Sequence, residues 1–312
     1  MTGSVLVVGD ANVDLVLRGD IVPRFGQAEQ LLEDAALAPG GSAGITANGL
    51  ARLGVPTGLV AVVGDDDFGL FTRNALQANG VETAALATAS GVPTGVSVIL
   101  STLEDRAILT RPGSVSLIGP TEVRTALHRF APDHVHFSSY FLLPRLAAEL
   151  PALLSQLRAA GITSSIDTNW DPATRWTGLG AVLPLVDLVL PNLEELRAIC
   201  STVVGRRESD EDAALALAEL GPAVVVKAGA EGGWSVTASG IHHRPAPSAD
   251  AVDTTGAGDS FNAGYLAAVA HGVVEEEARL HWAVVAGTLS TRSAGGTAAQ
   301  PSLTELFENL FS

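Results

Sequence analysis

Residues 253–264 read Asp253-Thr254-Thr255-Gly256-Ala257-Gly258-Asp259-Ser260-Phe261-Asn262-Ala263-Gly264, which joins a small-residue turn, a carboxylate and an apolar run. Such a turn lets backbone N–H groups face a ligand, and Gly264-Tyr265-Leu266-Ala267-Ala268-Val269 supplies a helix whose positive end points at it. An anion belongs there. A carboxylate beside an anion costs Coulomb energy unless it has chemical work. Asp259 would have such work as proton acceptor for a nucleophile, while the N–H groups of Gly256, Ala257 and Gly258 hold transferring phosphoryl oxygens. Taken alone, the string also fits a Gly-rich helix entry with Asp259 as an ordinary first-turn acid.

Other phosphate-handling layouts are excluded. Lys227 is the only lysine and is followed by Ala228 and Gly229, so no Gly-x-x-x-x-Gly-Lys-Ser/Thr loop exists. Lys227 also lies too near the C-terminus to precede a protein-kinase catalytic loop and Asp-Phe-Gly. The first strand is followed by Gly9-Asp10-Ala11 rather than Gly-x-Gly-x-x-Gly, which argues against a nicotinamide-dependent oxidoreductase. Asn12 and Asp14 alternate on the opening strand, so both can face one side and grip neighbouring hydroxyls; the pair also fits an ordinary turn. Asn192 before Leu193-Glu194-Glu195 fits a helix cap closed by Glu195. His134 and His136 alternate on a strand and His242-His243 sits in a hairpin, with no carboxylate at ligand spacing, so no transition-metal site is expected.

The elements that must position these residues come from a chain of 312 residues with 47% hydrophobic composition, enough for a large core. No linker, repeat or like-charge block divides it, and one domain over 1–312 is expected. A net charge of −16 and a pI near 4.7 argue against nucleic-acid or anionic-membrane partners. The single cysteine, Cys200, excludes an internal disulfide and fits packing in a reducing cytoplasm. The Met1-Thr2-Gly3-Ser4 start lacks the basic flank and cleavage site of a signal peptide, and no apolar run suffices to cross a bilayer.

Short β-branched runs at Val5–Val8, Gly58–Val63, His134–Phe137, Thr163–Asp167, Leu188–Leu190 and Ala223–Lys227 read as buried parallel strands. Helical periodicity marks Ala43–Leu53, Phe68–Ala78, Thr121–Arg129, Leu146–Ala160, Leu193–Cys200, Glu211–Leu220, Ser260–His271 and Val274–Thr291. The alternation predicts a doubly wound α/β sheet with ligands at the carboxyl ends of its strands, where Asp10, Asp167, Asn192 and Gly229 fall. From about 15 to 38 and 94 to 110, strand-like residues occur without helices. These two pieces pair into a small sheet over the mouth, or stand as separate edge hairpins.

The 253–264 string resembles the second signature of the ribokinase family, the PfkB carbohydrate kinases, over nearly the whole chain. Supporting landmarks, in family order, are Asn12-Val13-Asp14, Gly40-Gly41-Ser42-Ala43-Gly44, Gly64-Asp65-Asp66-Asp67-Phe68-Gly69, Asp167-Thr168-Asn169, Asn192-Leu193-Glu194-Glu195 and Lys227-Ala228-Gly229-Ala230-Glu231-Gly232. The resemblance implies a ribokinase-like fold with a mostly parallel sheet flanked by helices and a small β lid, through which a homodimer often forms. It implies ATP-dependent phosphorylation of a hydroxyl, typically hydroxymethyl, on a monosaccharide or related molecule. Asp259 is then the base and Gly256, Ala257 and Gly258 the anion hole.

The same resemblance assigns Asn12, Asp14, Gly40, Gly41 and Ser42 to the sugar, and Asn192 and Glu195 to magnesium and phosphate through water. Lys227, Gly229, Gly232 and Gly258 go to the nucleotide. Asp253 and Thr255, with backbone from 290–296, go to a monovalent cation such as potassium. Arg111-Pro112-Gly113-Ser114 is similar to keto-deoxy-sugar-acid kinases, in which an Arg meets a carboxylate. Two departures stand out. Ile45 replaces a family Asn on the sugar side, and Ala283 replaces a polar residue near the nucleotide. A nucleoside kinase of the same family and a catalytically weak sugar-binding regulator are the competing functions.

Overall fold

The computed structural model describes residues 2–27, 29–101 and 106–311; residue 28 and residues 102–105 of the two expected lid segments lie outside it. In chain order the strands are β1 (Val5–Val8), β2 (Asn12–Gly19), β3 (Leu32–Gly40), β4 (Thr57–Gly64), β5 (Leu86–Ala89), β6 (Val96–Ser101), β7 (Arg106–Arg111), β8 (His134–Ser138), β9 (Thr163–Asp167), β10 (Leu188–Val189), β11 (Ala223–Lys227), β12 (Gly233–Thr237) and β13 (Gly240–Arg244). The helices are α1 (Ser42–Arg52), α2 (Asp67–Ala78), α3 (Pro120–Phe130), α4 (Pro144–Ala147), α5 (Leu150–Ala159), α6 (Leu179–Val182), α7 (Leu193–Val203), α8 (Asp210–Ala218), α9 (Ala257–Ala270), α10 (Glu276–Ser290) and α11 (Leu303–Leu310).

Among the described residues the strands form two sheets, ordered β13-β12-β11-β10-β9-β8-β1-β4-β5 and β3-β2-β6-β7. The large sheet is parallel from β11 to β5, and β12 and β13 close one edge antiparallel. Its central strands are buried on both faces, so β1 reads Val-Leu-Val-Val without polar alternation. One apolar core packs α3, α5, α6, α7 and α8 on one face through Val123, Leu153, Leu179, Leu196 and Leu217. The other packs α1, α2, α9, α10 and α11 through Leu50, Leu76, Tyr265, Leu280 and Leu306. The chain leaves β1 for β4 on one side and returns to β8 on the other. That reversal opens a crevice beyond the carboxyl ends of β1 and β8.

The expected run Leu146–Ala160 is two helices, broken at Ala148–Glu149, because Pro151 has no N–H to continue a helix and sits in the first turn of α5. Asn12 and Asp14 do not end the first strand. They open β2, after a break at residues 9–11, and so belong to the small sheet.

Strands β2, β3, β6 and β7 realise the two helix-free segments as one sheet, with β2 parallel to β6. Along β6, buried Ser97, Ile99 and Ser101 alternate with half-buried Val96, Val98 and Leu100. The Gly64–Gly69 landmark ties this sheet to the large one. Asp66 caps α2 through the Gly69 N–H at 2.9 Å and also accepts from Thr94, by its N–H at 2.9 Å and its hydroxyl at 2.5 Å. No helix of the described residues is long and apolar enough to cross a membrane.

Candidate active site

Helix α9 begins where its sequence predicts, with Gly256 as N-cap at φ 70°. A side chain at this position would be strained at that φ, and its Cβ would lie 2.6 Å from the Gly296 Cα, so the turn admits only glycine. With no side-chain cap at this N-terminus, helix geometry leaves the first-turn N–H groups of Gly258 and Asp259 available to a ligand.

Two cavities meet at that turn. Gly256 and Asp259 line one of about 210 Å³, together with Asp10, Asn12, Asp14, Gly41 and Ser42. Ala257 and Gly258 line the other, of about 470 Å³, together with Lys227, Gly229, Gly232 and Phe261. Thr255 faces the smaller cavity and Thr254 the larger. The residues expected at the sugar and at the nucleotide therefore separate into two compartments, with the Gly-Ala-Gly turn as their common wall.

Asp259 accepts a hydrogen bond from the Ser42 hydroxyl. Burial, with Asp167 and Asp10 adding to it and Ser42 and Lys227 opposing it, raises its pKa to about 8. The positive end of α9 favours the ionised form of Asp259, and desolvation outweighs it. Asp10 reaches back to the start of α1, accepting the N–H groups of Ser42 at 3.2 Å and Ala43 at 3.1 Å. It does the capping that Gly41 lacks a side chain to do, which fixes Ser42 against Asp259.

Asn12 and Asp14 share one face of β2. Asn12 donates to Ser97 Oγ at 2.9 Å, and its buried Oδ1 has no hydrogen-bond partner. Gly40, paired with Asn12 across β3, leaves room for a neighbouring carboxyl: a Cβ there would sit 2.1 Å from Asp14 Oδ1. The role of Gly40 is thus to seat Asp14, while Gly41 is the one that lines the cavity. Ile45 also lines it, 3% exposed. It packs toward Gly256 and Gly296, whose Cβ positions would lie 3.1 and 2.5 Å from Ile45 side-chain atoms. Ile45 is far from the Gly256–Gly258 turn in sequence, and the fold closes that gap.

Arg111 is a second correction. It ends β7 with an exposed side chain and does not line the cavity, whereas Thr110 does. The pleat turns successive side chains to opposite faces, so Thr110 and Arg111 point apart.

At the larger cavity, Lys227 ends β11 and forms an ion pair with Asp167, the two side chains 10% and 0% exposed. Asp167 also accepts from Asn262 Nδ2 at 2.6 Å and the Asn169 N–H at 3.1 Å. Burial opposes charge on both partners, but each sustains the other, with the Lys227 pKa raised and that of Asp167 lowered. Gly229 and Gly232 flank the turn into β12 and line the same cavity.

Asn192 and Glu195 close a full capping box on α7, Asn192 Oδ1 accepting the Glu195 N–H and Glu195 Oε2 the Asn192 N–H, each at 2.9 Å. The cap does not exhaust Glu195. Burial raises its carboxyl to about 7, Lys227 opposing and Asp167 adding, so it belongs to the same charged cluster. Asp253 Oδ1 accepts from the Thr255 N–H at 2.9 Å and hydroxyl at 2.7 Å, and Oδ2 from the Gly295 N–H at 2.9 Å. These bonds hold the 290–296 loop against the turn. His134 and His136 share Ser165 Oγ at 2.7 Å inside the large sheet, away from both cavities.

Ser97 and Ser139, which line the smaller cavity, were not singled out from the sequence; Asp10 and Asn169, which line it too, and Asp167 and Asn262, which brace Lys227, were noted there without a role of their own. Asp10 and Asp167 were legible as strand-end acids. Ser97 carried no local signal, since it meets Asn12 only through the pairing of β2 with β6.

Residues 2–303 match the pfkB family of carbohydrate kinases. The chain is 34% identical over 295 residues to the ATP-dependent ribose-1-phosphate kinase of Halopiger xanaduensis, covering 93% of this chain and 94% of that one. Among solved structures it superposes on an Escherichia coli protein assigned as ribokinase II, in complex with ATP and Mg²⁺, with a TM-score of 0.87 at 22% identity and 99% of each chain covered. It also superposes on a Vibrio cholerae fructokinase double mutant holding fructose, ADP and potassium, with a TM-score of 0.82 at 23% identity and 99% of each chain covered. The two structures establish a ribokinase-like fold, and the family match over nearly the whole chain establishes that this protein belongs to the pfkB family of carbohydrate kinases.

Proposed function

We propose that the protein transfers the γ-phosphoryl group of ATP to a hydroxyl, typically hydroxymethyl, of a sugar or nucleoside held in the smaller cavity. The meeting of two cavities at the first turn of α9 carries this reading. A nucleotide in the larger cavity, its base among apolar groups such as Phe261 and Val284, would present its terminal phosphate to the first-turn N–H groups of α9, those of Gly258 and Asp259; the Ala257 N–H of the expected anion hole is taken by the Thr254 carbonyl at 3.2 Å. An acceptor hydroxyl in the smaller cavity would lie beside Asp259. As the oxygen attacks phosphorus, its proton passes to the Asp259 carboxylate, the new O–P bond forms and ADP leaves with the old bridging oxygen.

Asn192 and Glu195 are proposed to orient Mg²⁺ through water. Their fit rests on Glu195, a buried carboxyl whose raised pKa a nearby cation would offset. When bound, the metal neutralises phosphate charge. Asp253 and Thr255 with the 290–296 backbone are proposed to hold a monovalent cation. Asp253 is a buried carboxyl without a Lys or Arg partner among the described residues, and the potassium in the Vibrio fructokinase supports the assignment.

The chain is read as one catalytic unit in which the small sheet is the lid, because Ser97, Ile99 and Thr110 wall the acceptor cavity. The outer face of that sheet, with Leu15, Leu37, Val98 and Leu109 in register across four strands, is proposed to meet a second copy of the chain. Release of ADP from ATP and Mg²⁺, measured with and without a panel of unphosphorylated sugars and nucleosides, tests the reading. Acceptor-dependent release abolished by EDTA is expected; a rate indifferent to every acceptor contradicts it.

A further inference from the structure

Two residues beyond adjacent strand ends carry the left-handed backbone that side chains avoid: Ser139, after β8, at φ 57° and Asn169, after β9, at φ 52°. They lock to each other, and both line the smaller cavity. Asn169 Oδ1 accepts the Ser139 N–H at 2.9 Å and the Ser139 hydroxyl at 3.2 Å, while the Asn169 N–H donates to Asp167 Oδ1 at 3.1 Å. Beyond Asn169 the chain is tied down as well. Buried Asp171 accepts the N–H groups of Ala173, Arg175 and Trp176, each at 2.8 Å, and the Trp176 ring packs edge to face with Phe141, their centroids 5.3 Å apart. Strain of this kind persists only where the surroundings over-determine it, and here they fix one side chain in one orientation.

The orientation follows from the chemistry of the partner. A backbone N–H can only donate, so the end of the Asn169 amide that faces Ser139 is the oxygen, and the NH₂ end is turned from it. That NH₂ end has no hydrogen-bond partner among the described residues. We infer that Asn169 selects the acceptor: its Nδ2 donates to one oxygen of the bound molecule and thereby sets which hydroxyl is brought beside Asp259. The inference rests on the kinase reading above and deepens it. A rigid donor at a fixed place favours an acceptor with an oxygen there and penalises one without, because the amide then stays desolvated and unpaired. Asn suits the position, since it tolerates the left-handed backbone and carries an oxygen for Ser139 and a donor for the ligand on one planar group.

The test measures ADP release from ATP and Mg²⁺ with ribose, fructose, glucose and adenosine, and with monodeoxy analogues of each. For the acceptor that the parent chain turns over best, removing the oxygen at one non-reacting position should lower kcat/KM at least about tenfold. In Asn169→Gly, which adopts the left-handed backbone freely, that ratio should close to within about twofold of unity, while the ratios at other positions and the KM for ATP hold. Asn169→Asp keeps the shape and the Ser139 bonds but replaces the NH₂ by an oxygen; it should narrow the same ratio, and it decides the matter should the glycine variant not fold. Ratios in the variants equal to the parent's at every position, with turnover lowered by one common factor or not at all, mark a merely structural residue and overturn the inference. A parent chain indifferent to every non-reacting oxygen overturns it too, and both results leave the kinase reading intact. Acceptor-independent ADP release by the parent chain removes that reading and the inference with it.

Discussion

At the scale of single residues, the site concentrates charge that is costly to bury. Asp259 carries a pKa of about 8 in the folded chain against roughly 3.9 for an unperturbed Asp. The folded state therefore binds the extra proton between those values, and the stability it contributes is lost as pH rises through about 8. Asp259→Asn, which is never charged, should raise the thermal midpoint relative to the parent chain at pH 8.5 and by much less at pH 4.5. A midpoint difference independent of pH would place the carboxyl in a solvated setting.

Lys227 is the opposite case, a buried cation whose removal strands Asp167. Lys227→Met should destabilise the protein by about 3–5 kcal/mol in urea unfolding. Arg197→Met breaks a well-formed but exposed bridge to Asp210 and should leave the urea midpoint nearly unchanged. Equal effects would mean that the Lys227–Asp167 pair is as solvated as the surface one.

At the scale of elements, the small sheet is the part whose placement the sequence conveyed only by the absence of helices. Its inner face covers the smaller cavity and its outer face carries Leu15, Leu37, Val98 and Leu109. Leu109, 61% exposed on the edge strand β7, would then be buried between two copies. Leu109→Glu should convert a dimer to a monomer in sedimentation velocity; a parent chain that sediments as a monomer contradicts the pairing.

The long strands and helices were legible because their periodicity is strong: β1, β8, β9 and β11 fall where β-branched runs place them. β5, with Leu86-Ala87-Thr88-Ala89 at the sheet edge, lacks the apolar run that marks a central strand. The division between α4 and α5 had a visible cause in Pro151, which periodicity alone overrode. The site splits along the same line. Its contiguous part, residues 253–259, could be read directly. The Asn12–Ser97 pair and the approach of Ile45 to Gly256 exist only after strands and helices distant in sequence have packed.

At the scale of the whole molecule, the parallel sheet brings the ends of β1, β8, β9, β10 and β11 to one rim, and α9 is laid across it with its N-terminus at the junction of two cavities. On the proposed reading, that layout lets two separately bound molecules react across one turn, with Asp259 as the carboxyl attached to it. Turnover of Asp259→Asn on an accepted sugar or nucleoside, with ATP and Mg²⁺, tests this most directly. The substitution keeps the shape and an oxygen for the Ser42 hydroxyl while removing the basicity. The account predicts a fall in kcat of roughly 10²–10⁴-fold with little change in the affinity for either substrate, and a parent-chain kcat/KM that rises with pH toward a plateau above about 8. A variant that turns over at near the parent rate would contradict it.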